Sequence, residues 1–313
     1  MAFVRVPGNP EPEGIEEHWF EGRGGVRIRA ALAPALAAPR GSVILAPGRT
    51  EFIEKYFEVI SELQRRGFAV FAVDWRGQGM SDRSLTNALK GHFESFDDPV
   101  NDIASALKLY AERLPRPHIV LAHSMGGAIL LRAMQTRRVE ADAAVFSAPM
   151  WGIANLGDLS KSFIRFMHAI GAGHLFAPGV DKKWKREHWR RSPVTHDKER
   201  HARNQGLVIE DSHLALAGPT ISWVAAAAEA CEAFMAPSAL AHIRIPVTIV
   251  TAGREQLVDN RQAQAIAQIL PDCELVNVTG AKHELMMEQD QYRAQFWDAF
   301  DRVADHVSPA PVA

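Results

Sequence analysis

The 313 residues carry a formal net charge of −2, with 47% apolar and 23% charged side chains. That is the profile of a globular chain with a sizeable core, and it excludes fibrous, disordered and strongly basic nucleic-acid-binding proteins. At roughly 150 residues per domain, the length allows two domains or one α/β domain carrying an insertion.

The N-terminal MAFVRVPGNPEPEG places Pro, Gly and Glu where an export signal needs an apolar stretch. Cys231 and Cys273 are too few to staple a chain this long, so free thiols in a reducing, cytoplasmic compartment are expected. No apolar run is long enough to cross a bilayer; WVAAAA from Trp223 stops at Glu229. Any membrane contact is expected to be peripheral.

In chain order, Gly22-Arg23-Gly24-Gly25 separates two strand-like runs and predicts a hairpin. Short apolar runs follow: SVILA from Ser42, FAVFAVD from Phe68, HIVLA from His118, AAVFSAP from Ala143, VTIVTAG from Val247 and ELVNVT from Glu274. Runs apolar at nearly every position predict strands buried on both faces. Between them, Tyr56, Val59, Ile60 and Leu63 fall at helical spacing before Gly67, and Ile103, Leu107 and Tyr110 do so before Pro115. Ile266, Ile269 and Leu270 mark another helix, and Phe296, Phe300 and Val303 a last one. Strand and helix alternating in this way predict an α/β fold: a mostly parallel central sheet with helices on both faces. The alternation breaks from about Met150 to Ala236, where no strand-like run occurs. The expected organisation is a core of residues 1–150 and 237–313 with a helical lid over 151–236, bounded by Pro149 and Pro237. The tail SPAPVA is expected to fray.

The strand HIVLA runs into His123-Ser124-Met125-Gly126-Gly127 and then into the apolar helical stretch AILLRAM. A serine on a tight strand-to-helix turn between small residues is a nucleophile elbow. Ala122 stands where glycine is usual and adds one methyl at a close-packed point. The turn puts the Met125 amide at a helix start, where it can donate to a developing oxyanion. A serine needs a base to take its proton, and the base needs an orienting acid. His283 follows the last strand and the turn Thr279-Gly280-Ala281-Lys282, at the carboxyl edge of the sheet where catalytic groups gather. No second histidine follows His283-Glu284 at zinc-protease spacing. Two carboxylates follow VTIVTAG. Glu255 is the favoured acid, because Asp259 has a competing role as the N-cap of the next helix.

The second oxyanion donor is expected after SVILA. In Ala46-Pro47-Gly48-Arg49-Thr50-Glu51, Pro47 has no N–H and Gly48 permits the turn, which leaves the Arg49 amide. The Arg49 guanidinium either meets a phosphate at the mouth of the site or forms a surface salt bridge. The turn Asp74-Trp75-Arg76-Gly77-Gln78-Gly79-Met80-Ser81 lacks the third glycine of a dinucleotide fingerprint and is expected to be a loop supporting the rim.

These residues make the chain similar to α/β-hydrolases of the monoacylglycerol lipase and lysophospholipase group, and within it to the bacterial inner-membrane-associated lysophospholipases. The likeness rests on APGRTE at Ala46, VDWRGQGMSDR at Val73, LAHSMGGAIL at Leu121, SAPMWGI at Ser147, REQLVDN at Arg254 and GAKHE at Gly280, spread over nearly the whole chain. Ala122 and Pro47-Gly48, where monoacylglycerol lipases have His-Gly, are departures shared with the lysophospholipase branch. The resemblance implies Ser124 as nucleophile, His283 as base, the carboxylate at the Glu255 position as acid, and a lid over the site.

In that expected lid lie four of the seven tryptophans, Trp151, Trp184, Trp189 and Trp223, which either line an acyl channel or form the lid's own core. The basic run Lys182-Lys183-Trp184-Lys185-Arg186, with Arg190 and Arg191, either meets an anionic membrane face or is a solvated helix face. The expected function is that of a serine hydrolase cleaving the carboxylic ester of a lysophospholipid or monoacylglycerol, with no metal or organic cofactor and no nucleic-acid partner. The alternatives are a short-chain carboxylesterase and a catalytically silent ligand-binding protein of the same fold.

Overall fold

A computed structural model describes residues 3–36, 38–236 and 238–309. The proposed boundary residue Pro237 and the last four residues of the tail lie outside the described residues.

The chain opens with β1 (Glu16–Glu21) and β2 (Arg27–Ala33), an antiparallel hairpin turned by Gly24 and Gly25, both at positive φ. Then follow β3 (Gly41–Ala46), α1 (Phe57–Arg65), β4 (Phe68–Val73), α2 (Asp97–Leu109), β5 (His118–His123), α3 (Met125–Gln135) and β6 (Ala143–Ser147). A helical excursion carries α4 (Asp158–Ala169), α5 (Lys198–Glu210) and α6 (Ile221–Phe234). The sheet resumes with β7 (Val247–Ala252), α7 (Asn260–Ile269), β8 (Cys273–Val278) and α8 (Asp290–Val307).

The eight strands run in the order β1-β2-β4-β3-β5-β6-β7-β8, antiparallel at β1-β2-β4 and parallel from β4 onward. Apolar runs make this possible: β3, β4, β5, β6 and β7 are buried at nearly every position, with one core cluster on each face. On one face Phe71, Val120 and Phe146 pack with Val100, Ile103 and Ile129; on the other Val70, Leu121 and Val145 pack with Phe57, Ile60 and Phe300.

The last strand departs from the expectation. Five of the six β8 positions are at least partly open and Leu275 is 39% exposed, because β8 forms the sheet edge, where less of the molecule packs over the strand. The apolar run is therefore a poor guide to burial there, and β8 is not buried on both faces as expected. Within the excursion, α4 packs on α6, and α6 packs on α3 of the sheet layer. The basic run is also different from a helix face: 182–188 has no regular structure and Trp189–Arg191 is one 3-10 turn, so its charges sit on a solvated loop.

Candidate active site

Four strand ends deliver the candidate residues to one place. β5 ends in His123, and Ser124 follows with φ 49° and ψ −116°, a left-handed backbone that costs a non-glycine residue energy and persists only where the surroundings enforce it. They do enforce it: the Ser124 amide donates to Ser147 O (3.1 Å), and its carbonyl accepts from Gly127 (2.9 Å) and Met150 (2.9 Å). Gly126 and Gly127 let α3 press against the neighbouring loops, since a Cβ on Gly126 would lie 2.5 Å from Pro47 O and one on Gly127 2.9 Å from Pro149 Cβ. Ala122 is fully buried between β3 and β6.

Past β3, the amides on either side of Arg49 are spoken for. Gly48 donates to Glu51 and Thr50 to Gln78 (3.3 Å), and Pro47 has no donor. The Arg49 amide is left as the donor of that loop. Met125 opens α3, where the first N–H groups have no partner inside the helix. The loop after β4 holds this rim from beneath: Trp75 Nε1 donates to Pro47 O (2.8 Å), and Gln78 Nε2 donates to Gly48 O (2.7 Å) and Glu51 O (3.0 Å). Asp74, fully buried against Arg29, accepts from the amides of Ile53 (2.9 Å) and Met80 (2.8 Å). This loop supports the rim, as its incomplete glycine pattern implied.

Beyond β7 and β8 two loops interlock. Gly253 donates to Val278 O (3.0 Å) and Arg254 to Ala281 O (2.8 Å), while Gly280 takes φ 86°. A Cβ on Gly253 would lie 2.8 Å from Gly280 N, so glycine is what lets the loops close on each other. The result is a 2.7 Å hydrogen bond between His283 Nδ1 and Glu255 Oε2. Glu255 Oε1 accepts from the amides of Gln256 (2.9 Å), Leu257 (2.7 Å) and Val258 (3.2 Å), which fixes the carboxylate. Burial pushes its carboxyl upward, but the bonds from His283, Leu257 and Val258 outweigh burial and hold it below the ordinary glutamate value. Asp259 is elsewhere: it caps α7, accepts from the Arg261 amide (3.0 Å) and pairs with the Arg261 guanidinium (2.8 Å).

Ser124 and His283 line one cavity of about 330 Å³ with Arg49, Met150, Trp223 and Val258. No hydrogen bond joins Ser124 to His283 here; such bonds commonly tighten only when substrate fills the site. An adjoining apolar cavity of about 600 Å³ shares Ile153, Pro219 and Trp223 with it and runs under α4 along Leu156, Phe163 and Ile164. Of the excursion's tryptophans, Trp223 lines both cavities, whereas Trp151 is fully buried core and donates to Gly127 O (3.2 Å). Trp184 packs on a small satellite cluster, and Trp189 stacks on His188.

Sequence reasoning missed the charged layer beneath the site. Glu51 accepts from Lys55 Nζ (2.8 Å) and Tyr56 Oη (2.5 Å), and Lys55 also reaches Glu284 (2.6 Å), the residue after His283. His123 stacks obliquely on His283 with ring centroids 4.7 Å apart and contacts Ser147 O through Nδ1 (3.0 Å). Burial pushes His123 down to about 4, with His283 and Lys55 adding to the effect, so it is neutral at physiological pH. The spacing of Glu51 and Lys55, four residues apart, was the available signal.

The Arg49 guanidinium makes no salt bridge among the described residues, contrary to one of its two expected fates. No carboxylate lies within ion-pair distance among the described residues, because the wall around it is Gly91, the Ala217 carbonyl and the Trp223 ring.

Comparison with known proteins identifies the family. A family model described as "Serine aminopeptidase, S33" matches residues 37–290. Lysophospholipase L2 of Escherichia coli K12 is 30% identical over 271 residues, covering 80% of this chain and 76% of that protein. A monoacylglycerol lipase of Mycolicibacterium smegmatis is 35% identical over 134 residues, 42% of this chain and 46% of that one. Among solved structures, a soluble variant of the Saccharomyces cerevisiae monoglyceride lipase, in complex with a substrate analog, superposes with a TM-score of 0.75 at 16% identity, covering 94% of this chain and 97% of that one. The parallel sheet, the strand-to-helix serine turn and the match across residues 37–290 together place this chain in the S33 serine aminopeptidase family of α/β-hydrolases.

Proposed function

We propose that the protein cleaves the carboxylic ester of a single-chain lipid, a lysophospholipid or monoacylglycerol, through an acyl-enzyme. The observation that carries this reading is that Ser124 and the Glu255-paired His283 line one cavity, which shares the walls Ile153, Pro219 and Trp223 with a second, apolar one of about 600 Å³. Cavities of this size and lining suit one acyl chain. The names of the similar proteins point the same way.

In this mechanism His283 Nε2 takes the Ser124 hydroxyl proton as Oγ attacks the ester carbon. Glu255 holds the Nδ1–H tautomer and stabilises the imidazolium. The Arg49 and Met125 amides receive the oxyanion. Collapse of the tetrahedral intermediate breaks the ester C–O bond, and His283 returns the proton to the departing glycerol oxygen. Water, deprotonated by His283, then attacks the acyl-serine, and the fatty acid leaves as Ser124 regains its proton.

Residues 151–236 serve as a lid in this reading. Supporting it, α6 contributes Trp223 to the cavity wall and Val194 accepts from the Glu284 amide (2.8 Å) beside His283. On α4 and its C-cap, Leu159, Phe163, Phe166 and Ile170 recur at helical spacing with 90%, 49%, 60% and 60% of their surface exposed. An apolar stripe of this kind on a soluble protein marks a contact surface. It supports peripheral attachment to a lipid aggregate, with the basic loop 182–191 facing anionic head groups. No helix of the described residues is long and apolar enough to span a membrane.

The family description names a peptidase, which would need a free carboxylate for a substrate ammonium group. The two cavity carboxylates Glu51 and Glu284 are both tied to Lys55, and this weighs against that reaction. The test is fatty-acid release from matched lysophosphatidylcholine, monoacylglycerol and p-nitrophenyl butyrate by wild type and Ser124→Ala. Loss of lipid hydrolysis in the variant, together with loss of fluorophosphonate labelling, is expected. A variant that retains most of its turnover, or a wild type confined to the short ester, would overturn the lipid assignment.

A further inference from the structure

Arginine side chains buried at protein sites are almost always paired with an acid, since an uncompensated buried charge is costly. Arg49, half-buried with its Nε fully covered, breaks that pattern in the wall of the Ser124 cavity, where a bound anion could recover the cost. Its Nη2 group donates to the carbonyl of Ala217, a neutral partner, and its Nε–H is buried without any acceptor. The guanidinium lies over the Trp223 ring, 5.5 Å from Cζ to the centroid. Trp223 is itself 4% exposed, lines the same cavity, and has a buried indole N–H with no acceptor. Desolvation pulls the guanidinium down to about 10, so it remains a cation at neutral pH.

Two neighbouring donors, one of them charged, thus lack acceptors beside the nucleophile. The surroundings are built to hold the cation in this position. Gly91 packs against it so closely that a Cβ there would lie 2.8 Å from Nη2 and 3.2 Å from Nε. Gly91 in turn donates to Gly218 O (3.3 Å) and accepts from the Thr220 amide (3.0 Å), which ties this cradle to the strand-like turn before α6.

We infer that Arg49, with Trp223 beside it, is the anion-recognising subsite of the cavity and selects single-chain lipids whose glycerol carries a phosphodiester head group over uncharged monoacylglycerols. The inference rests on the ester-hydrolase reading of Ser124 and deepens it. One residue then serves both ends of the substrate's glycerol: its backbone amide faces the ester oxygen, and its side chain faces the phosphate. A phosphate oxygen supplies the acceptors that the protein withholds, and a guanidinium binds it through charge-assisted, forked hydrogen bonds.

The experiment compares kcat/KM for a lysophospholipid and a monoacylglycerol of the same acyl chain, each at equal mole fraction in neutral detergent micelles. Wild type, Arg49→Gln, Arg49→Lys and Gly91→Ala are measured, with melting temperatures to verify folding. Any effect of residue 49 on the oxyanion amide falls on both substrates and cancels in the ratio. The lysophospholipid preference is expected to fall by about tenfold or more in Arg49→Gln, the loss of one charge-assisted contact, and to recover in part in Arg49→Lys. Gly91→Ala, which pushes the guanidinium aside without altering residue 49, is expected to lower it in the same direction. In a second arm, glycerol 3-phosphate competes with p-nitrophenyl butyrate in wild type and much less in Arg49→Gln. A ratio unchanged within twofold in all variants, with equal inhibition of wild type and variant, overturns the subsite. If wild type cleaves neither lipid yet glycerol 3-phosphate inhibits it through Arg49, the subsite stands and the lipid assignment falls.

Discussion

Replacing Glu255 by glutamine asks the most of the proposed mechanism. The side chain keeps its size, and its oxygen can still accept from the Gln256, Leu257 and Val258 amides. The amide nitrogen then faces His283 Nδ1 across the 2.7 Å contact. Two donors cannot share that space, so His283 is driven to the tautomer with its proton on Nε2, and Nε2 can no longer take the Ser124 proton. The equivalent exchange in a serine protease triad lowers kcat about 10⁴-fold, close to 5.5 kcal/mol of barrier. A loss of about 10³ to 10⁴ in kcat/KM is expected here, with little change in KM, because Glu255 touches His283 rather than substrate. Asp259→Asn is the matched comparison. Asparagine caps a helix as well as aspartate does, and the lost ion pair to the exposed Arg261 is worth at most about 1 kcal/mol of stability. Its turnover is expected to stay within about twofold of wild type. The assay is p-nitrophenyl ester hydrolysis across pH, with thermal unfolding of both variants. Glu255→Gln retaining more than a tenth of the activity, or Asp259→Asn losing as much as Glu255→Gln, would refute the assignment of the acid.

Gly126→Ala drives a methyl against the carbonyls of Ala46 and Pro47, backbone atoms that cannot swing aside. A cost of about 1–3 kcal/mol is expected, or a fall of roughly 2–4 °C in Tm per kcal/mol, with turnover reduced because the Arg49 loop is displaced; an unchanged Tm would show that the packing is slack. Acid stability reports on Glu51: burial alone would raise its carboxyl, but Lys55 and the hydrogen bonds to it hold it at about 2 against an ordinary 4.5. Its folded value lies below the unfolded one, so the stability it contributes is present above about pH 4.5 and is lost as pH falls toward 2. Urea midpoints measured through that window should therefore decline less steeply in Glu51→Gln than in wild type, and equal slopes would remove Glu51 from the acid response. For α4, Phe166→Glu with Ile170→Glu is expected to cut association with anionic vesicles by more than about tenfold, given that each buried side chain contributes roughly 1.5–3 kcal/mol, and to cut turnover of a water-soluble ester far less. Vesicle sedimentation of the double variant at the wild-type level would place the lipid contact elsewhere.

What the sequence by itself determined is local or periodic. Six core strands and the helices between them were legible because unbroken apolar runs and helical spacing report burial and backbone period directly. The Ser124 turn was legible because small residues at Gly126 and Gly127 leave few other structures open to it. The hairpin at Gly24-Gly25 and the supporting loop from Asp74 were legible for similar reasons of turn chemistry. Position in the sheet was not: ELVNVT reads as a buried strand, and only its place at the edge exposes Leu275. The choice between Glu255 and Asp259 as partner of His283 also waited for the fold, since it depends on two loops 28 residues apart meeting through Gly253 and Gly280. Likewise the Glu51–Lys55–Glu284 layer, the outward stripe of α4 and the unpaired charge of Arg49, held by a carbonyl 168 residues away, are products of tertiary packing. A charge's partners are set by which distant backbone arrives beside it, and a single sequence records the charge without recording that arrival.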